Sequence, residues 1–100
     1  MRDPVLTHTA LLLPGERLEP LGAGIGVIVS RAHSFGLDAL LLADFAAPRK
    51  GEWALDLGTG CGILPLLWCR KNQLAHAAGL EIQQAGYDQF RRSIHYNHLD

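Results

Sequence analysis

The chain has 100 residues, room for one small domain. Its 48% hydrophobic and 19% charged residues are an ordinary globular balance, which excludes a disordered tail, a collagen-like chain or a low-complexity scaffold. Nine basic against ten acidic residues leave a net charge of -1, so a nucleic-acid partner would have to be held by a local patch and not by a global field.

Residues 1–15 read as an N-terminal extension without a clear period, closed by the turn signal Pro14-Gly15. Asp3 and Pro4 follow Arg2 at once and the apolar run Ala10 to Leu13 is short, so this is not a secretory signal. Residues 16–100 read as one partial domain. Glu16 to Leu21 predicts a strand that Pro20 confines to an edge, and the β-branched Ile25 to Ser30 predicts its hairpin partner across Gly22 to Gly26. Leu37 to Ala46 predicts a helix with Gly36 at its cap and Pro48 beyond its end. Leucines and alanines fill both of its faces, so it is expected to be mostly buried, with Asp38 and Asp44 as solvated edges. It is the core of the most apolar stretch, yet too short and too charged to span a membrane, which needs about 20 residues.

Trp53 to Leu57 predicts a buried strand that runs into Gly58-Thr59-Gly60-Cys61-Gly62. Ile63, Leu64, Leu67 and Trp68 then recur at helical spacing, with Pro65 in the first turn where its missing N–H costs little, and Asn72-Gln73 as a stop. Ala77 to Ile82 predicts a second strand. Gln83 to Asn97 predicts an amphipathic helix with Tyr87, Phe90 and Ile94 inward and Arg91, Arg92 and His95 outward, weakened at Gly86 by about 1 kcal/mol relative to Ala. Strand, glycine loop, helix, strand, helix is a parallel βαβ unit with a trailing helix, so the fold class is α/β.

Glycines at a strand-to-helix turn let a ligand approach backbone N–H groups at the helix start. No Lys-Ser/Thr follows these glycines, which excludes a P-loop. Ile63 stands where a dinucleotide fingerprint has its third glycine, and the Asp56 carboxylate just ahead of the loop would repel a pyrophosphate. The same carboxylate would welcome a cation. S-adenosylmethionine, with an ammonium, a sulfonium and no phosphate, suits Asp56-x-Gly58-x-Gly60-x-Gly62 better than NAD does. Glu81 lies about 20 residues past the loop at the end of the next strand, where a carboxylate can accept from both ribose hydroxyls of a nucleoside. The plainer reading makes it a solvated strand end.

Other chemistry-bearing residues favour plainer readings. Cys61 at a helix N-terminus could be a nucleophile, but with no partner base it reads as a small side chain in the loop. Cys61 and Cys69 lack zinc spacing, and no carboxylate or cysteine completes a site with His95 and His98, so no metal is expected. Two cysteines also make no disulfide framework, and a reducing cytoplasm is the default. Trp53 and Trp68 read as core, and Arg91 and Arg92 as a solvated face more than as contacts to RNA phosphate.

The run Ser34-Phe35-Gly36-Leu37-Asp38-Ala39-Leu40-Leu41-Leu42-Ala43-Asp44-Phe45, then Leu55 to Ile63, then Gly79-Leu80-Glu81-Ile82-Gln83, with Asn97 and Leu99, resembles the bacterial tRNA1(Val) adenine-N6-methyltransferases. The resemblance covers Glu16 to Leu99. It implies the N-terminal part of a Rossmann-like class I methyltransferase fold, with S-adenosylmethionine as cofactor, tRNA as partner, a cytoplasmic location and a monomer when complete. By it, Asp56, Gly58, Gly60 and Gly62 would shape the methionine end of the cofactor site and Glu81 would hold the ribose. Phe35 and Asp38 would line the site from the N-terminal side. Gly36 departs from the family's serine cap, Cys61 from its threonine, and Gly86 and His98 are unusual in their helix. The family's catalytic Asn-Pro-Pro-aromatic motif is absent, since neither Asn72 nor Asn97 precedes a proline. The catalytic residues are therefore unassigned, and the expectation is a methyltransferase truncated before its catalytic strand. The same loop would also serve methylation of another RNA base or of a protein glutamine, or a non-catalytic cofactor-binding remnant.

Overall fold

Residues 12–71 and 76–99 are described by a computed structural model. The stretch ahead of residue 12 and the expected stop at Asn72-Gln73 lie outside the described residues. Pro14 and Gly15 form their turn, and β1 (Glu16–Gly22) then runs antiparallel to β2 (Ile25–Ser30). The register pairs Glu16 with Ser30 and Leu18 with Ile28, and slips between Pro20 and Gly22. A proline cannot donate to the ladder, so the irregularity falls beside it. Val27, Ile28 and Val29 are fully buried.

Helix α1 (Leu37–Ala46) has the expected bounds. Gly36 caps it with no side-chain bond, and Ala47 closes it in the left-handed region by donating to the Ala43 carbonyl. Its expected burial is not found. Ala43 is its buried residue, while Leu37, Leu41, Leu42 and Phe45 are half or more exposed. The helix packs mainly on α2 (Ile63–Lys71), and one neighbour covers only one stripe of a helix. In contrast, α2 touches α1, both hairpin strands and both strands of the second sheet, which buries Ile63, Leu64, Leu66, Leu67 and Trp68.

The second sheet pairs β3 (Trp53–Leu57) with β4 (His76–Leu80) in parallel, Trp53 opposite His76 and Leu57 opposite Leu80, with α2 as the crossover. The chain is thus a small mixed α/β domain. Its β4 begins one residue before the expected Ala77 and ends two before Ile82, because the Leu80 carbonyl accepts from Gly58 and Thr59 N–H and the ladder stops there. Ala54 and Ala77 face the α2 core. The other face carries Trp53, Leu55, Leu57 and Leu80, all more than half exposed. Trp53 is therefore not the core residue its sequence context suggests. Side chains alternate across a strand, and Trp53 falls on the side that no described helix covers. Its ring instead tilts against His76 at 4.2 Å.

Helix α3 (Gln84–Tyr96) lies one residue inside its expected bounds at each end, flanked by Gln83 and Asn97. Its buried stripe is Gly86, Gln89, Phe90 and Ser93, and Tyr87 is exposed, not inward. The shift has a cause in hydrogen bonding. Gln89 Nε2 donates to the Ile28 and His33 carbonyls, and Gln89 Oε1 accepts from the Ser30 hydroxyl. Ser93 Oγ accepts from Ile28 N–H at 2.8 Å, and Asn97 both accepts from Gly26 N–H and donates to its carbonyl. Spaced by four, these side chains form one row along the helix. They stand in for a neighbouring strand on the free edge of β2, where unpaired backbone groups would otherwise remain. Arg92 is not outward either: it forms a two-pronged pair with Glu16 at 2.6 and 2.8 Å and also binds Asp88. Arg91 and His95 are exposed as expected. No helix among the described residues is long and apolar enough to cross a membrane.

Candidate functional site

The glycine loop sits at the C-terminal ends of β3 and β4. Gly58 N–H and Thr59 N–H both donate to the Leu80 carbonyl, at 2.8 and 2.9 Å, which folds the loop back over the sheet end. Gly58 and Gly60 adopt φ of +71° and +60°, the left-handed region that favours glycine. A Cβ at either would meet nothing within 4 Å, so these two positions open outward. Gly62 and Gly79 are closed: a Cβ at Gly62 would run into the Phe90 ring, and one at Gly79 would lie 2.7 Å from Thr59 Cγ2. Phe90 thus plugs the underside of the loop. Thr59 is buried, and its hydroxyl has no hydrogen-bond partner among the described residues.

Glu81 closes the site. Its Oε1 accepts from Gly60 N–H at 2.8 Å and its Oε2 from Gln83 N–H at 2.9 Å. The bond from Gln83, then that from Gly60, holds the carboxyl below its ordinary value. Each carboxylate oxygen has two lone-pair sites, so the clasp leaves capacity for further donors. Asp56 is half-buried on the same side of β3 as Ala54, opposite Gly79 in the register.

Asp56, Gly58, Gly60 and Glu81 are therefore brought together at one end of the parallel pair. Gly62 adjoins them but serves packing. Phe35 and Asp38 lie with other elements. Phe35 packs on the apolar core and, with Ser34, Leu40, Leu67 and Arg70, lines an open cleft beside the hairpin. Asp38 is exposed in the first turn of α1, its carboxylate turned back over Gly36. Cys61 is buried, and burial pushes its thiol up, which favours a loop-packing side chain over a nucleophile. Among the described residues no group of three His, Cys, Asp or Glu could hold a metal ion.

Two residues outside the expected set also reach the loop. His33 donates from Nε2 to Gln83 Oε1 at 2.7 Å, and Gly86 brings α3 against both the His33 ring and the Gly60 carbonyl. A glycine in the first turn of an amphipathic helix was the signal for Gly86, because only close approach repays its poor helix propensity. His33 carries no such signal in the sequence.

Open space above Gly58 and Gly60, with a surface carboxylate beside it, suits a ligand that brings hydroxyls or positive charge to the loop. No family model matches the chain. A curated tRNA1(Val) (adenine(37)-N6)-methyltransferase from Pasteurella multocida (strain Pm70) is 34% identical over 65 residues. The chain is similar to part of that methyltransferase. The match takes in 64% of this chain and 27% of the relative, so the chain spans about a quarter of the length of the curated protein it matches. The resemblance read from the sequence is borne out by this relative.

Proposed function

We propose that these residues form the S-adenosylmethionine-binding part of a class I methyltransferase that acts on the N6 amine of an adenine in tRNA. The observation that carries the reading is the open pair Gly58 and Gly60, with Gly60 N–H clasped to the Glu81 carboxylate, at the ends of two parallel strands. The tRNA and the adenine come from the printed name of the relative. When bound, the cofactor supplies an electrophilic methyl group on a sulfonium, a good leaving group.

This chain's own residues bind and orient. Gly58 and Gly60 expose backbone where side chains would block approach. Asp56 contributes negative charge near the loop, which favours an ammonium and disfavours a phosphate. Glu81 already has its carboxylate fixed by two backbone N–H groups, so it can accept from ribose hydroxyls with little reorganisation. Gly62 and Gly79 let Phe90 seat beneath and stiffen the loop. The 100 residues contain no Asn-Pro pair, so groups of that kind for orienting the target amine would have to come from elsewhere. The adenine itself would have to leave its stack.

Calorimetry with S-adenosylhomocysteine tests the reading. Binding is expected for the natural chain and is expected to vanish in Gly60→Val. Glu81→Gln keeps an acceptor for Gly60 N–H but removes the charge, and should cost about 1–2 kcal/mol. A 2′,3′-dideoxy analogue should lose almost nothing on the same substitution. Equal losses for both ligands would remove Glu81 from the ribose.

A further inference from the structure

We propose that His33 is a positioning residue for the glycine-loop site, and that Gly86 is glycine in order to admit its ring; the inference rests on the cofactor-site reading above. The His33 backbone is pinned on both sides. Its N–H donates to Ser30 Oγ at 3.1 Å, and its carbonyl accepts from Ser30 N–H and Gln89 Nε2. The imidazole is thereby held over the start of α3. A Cβ at Gly86 would stand 2.9 Å from His33 Cδ2 and 3.2 Å from the Gly60 carbonyl oxygen. The ring and the Gly60 peptide therefore close on the same gap, the one left by the missing side chain.

From there a relay of hydrogen bonds reaches the ligand face of the loop. His33 Nε2–H donates to Gln83 Oε1, Gln83 N–H donates to Glu81 Oε2, and Glu81 Oε1 accepts from Gly60 N–H. His33 also lies close enough to Glu81 to help hold that carboxyl low. One end of the ring fixes the side chain next to Glu81, and its edge borders the gap at Gly86 that the Gly60 carbonyl also borders. Nδ1 is buried without a hydrogen-bond partner among the described residues. A residue kept for packing alone would not leave a polar atom stranded there, since an apolar side chain fills such a gap at no desolvation cost. The imidazole is retained for what its Nε2 and its edge do to Gln83, Glu81 and Gly60.

The test uses the full 100-residue chain, with S-adenosylhomocysteine affinity by calorimetry and the Gly60 amide resonance by NMR. His33→Ala should weaken binding about tenfold, the factor set by one net hydrogen bond. The Gly60 amide proton should move upfield as its bond to Glu81 lengthens. His33→Gln retains a donor for Gln83 and should restore both readouts at an unchanged melting temperature. Gly86→Ala should reproduce the loss, and adding His33→Ala to it should cost little more, because both substitutions disturb the same ring. An unchanged Gly60 resonance and affinity in His33→Ala would overturn the proposal, as would a failure of His33→Gln to rescue. If His33→Ala does not fold, Gly86→Ala and His33→Gln decide in the same terms. If the natural chain does not bind S-adenosylhomocysteine at all, the cofactor reading falls, and the Gly60 resonance alone decides the role of His33.

Discussion

Strands β2 and β3 are both short and apolar, yet Val27, Ile28 and Val29 are fully buried while Trp53, Leu55 and Leu57 are 75%, 55% and 73% exposed. The difference does not lie in the strands' own residues. One edge of β2 pairs with β1, the other is bonded by Gln89, Ser93 and Asn97, and its Val27 and Val29 lie in the core cluster built around α2. The sheet of β3 and β4 has α2 against one face only. Apolar content tells a strand to seek cover, and the polar side chains of its neighbours decide whether its backbone is also satisfied. The helix pair repeats the contrast. Both α1 and α2 are rich in apolar residues, and only α2, which touches both sheets as well as α1, is largely buried.

The largest expected effect comes from opening the closed edge. Gln89→Leu strands the Ile28 carbonyl and takes one of two bonds each from the His33 carbonyl and the Ser30 hydroxyl, and should destabilise the chain by about 2–3 kcal/mol in urea unfolding. A loss near that of an ordinary surface substitution would mean that α3 does not close the hairpin. Removing the strap between β1 and α3 comes next. Arg92→Met leaves Glu16 without its partner, at a cost of about 1–2 kcal/mol for a pair that retains some solvent. The pairing with Arg92 lowers the Glu16 carboxyl from its ordinary 4.5. Its stabilisation is therefore present above that value and is lost as pH falls through the lowered one. The natural chain should lose stability steeply in that acid range, and Arg92→Met less so. Identical pH profiles would dissolve the strap. The smallest effect belongs to the bare sheet: Leu57→Ser should change stability by no more than about 0.5 kcal/mol. It should also reduce self-association, measured by sedimentation, because it interrupts an exposed apolar patch. A loss of several kcal/mol would show that this face is covered after all.

The same contrast explains what could be read ahead of the structure. The glycine loop between a strand and a helix, the parallel crossover and Glu81 were legible because backbone conformation, hydrophobic period and spacing are local properties. The edge closure by Gln89, Ser93 and Asn97 was not. Polar residues at a spacing of four look like a solvated face, and only the position of β2 turns them inward. Arg92 was hidden in the same way, since its partner Glu16 is 76 residues away. Trp53 and α1 are exposed despite their apolar sequences, because apolar character does not by itself supply a covering element. At the site, the outward Gly58 and Gly60 and the inward Gly62 are indistinguishable in the motif, and Phe90 is what separates them.

On the proposed function, the open end of the second sheet, and not the closed hairpin, meets the ligand. An amide-resolved NMR titration of the 100-residue chain with S-adenosylhomocysteine tests it most directly. Shifts concentrated at Gly58, Thr59, Gly60 and Glu81, with Val27 to Val29 unmoved, are the predicted result. Shifts centred on the cleft of Phe35, Leu40 and Arg70, or none at the glycine loop, would contradict it.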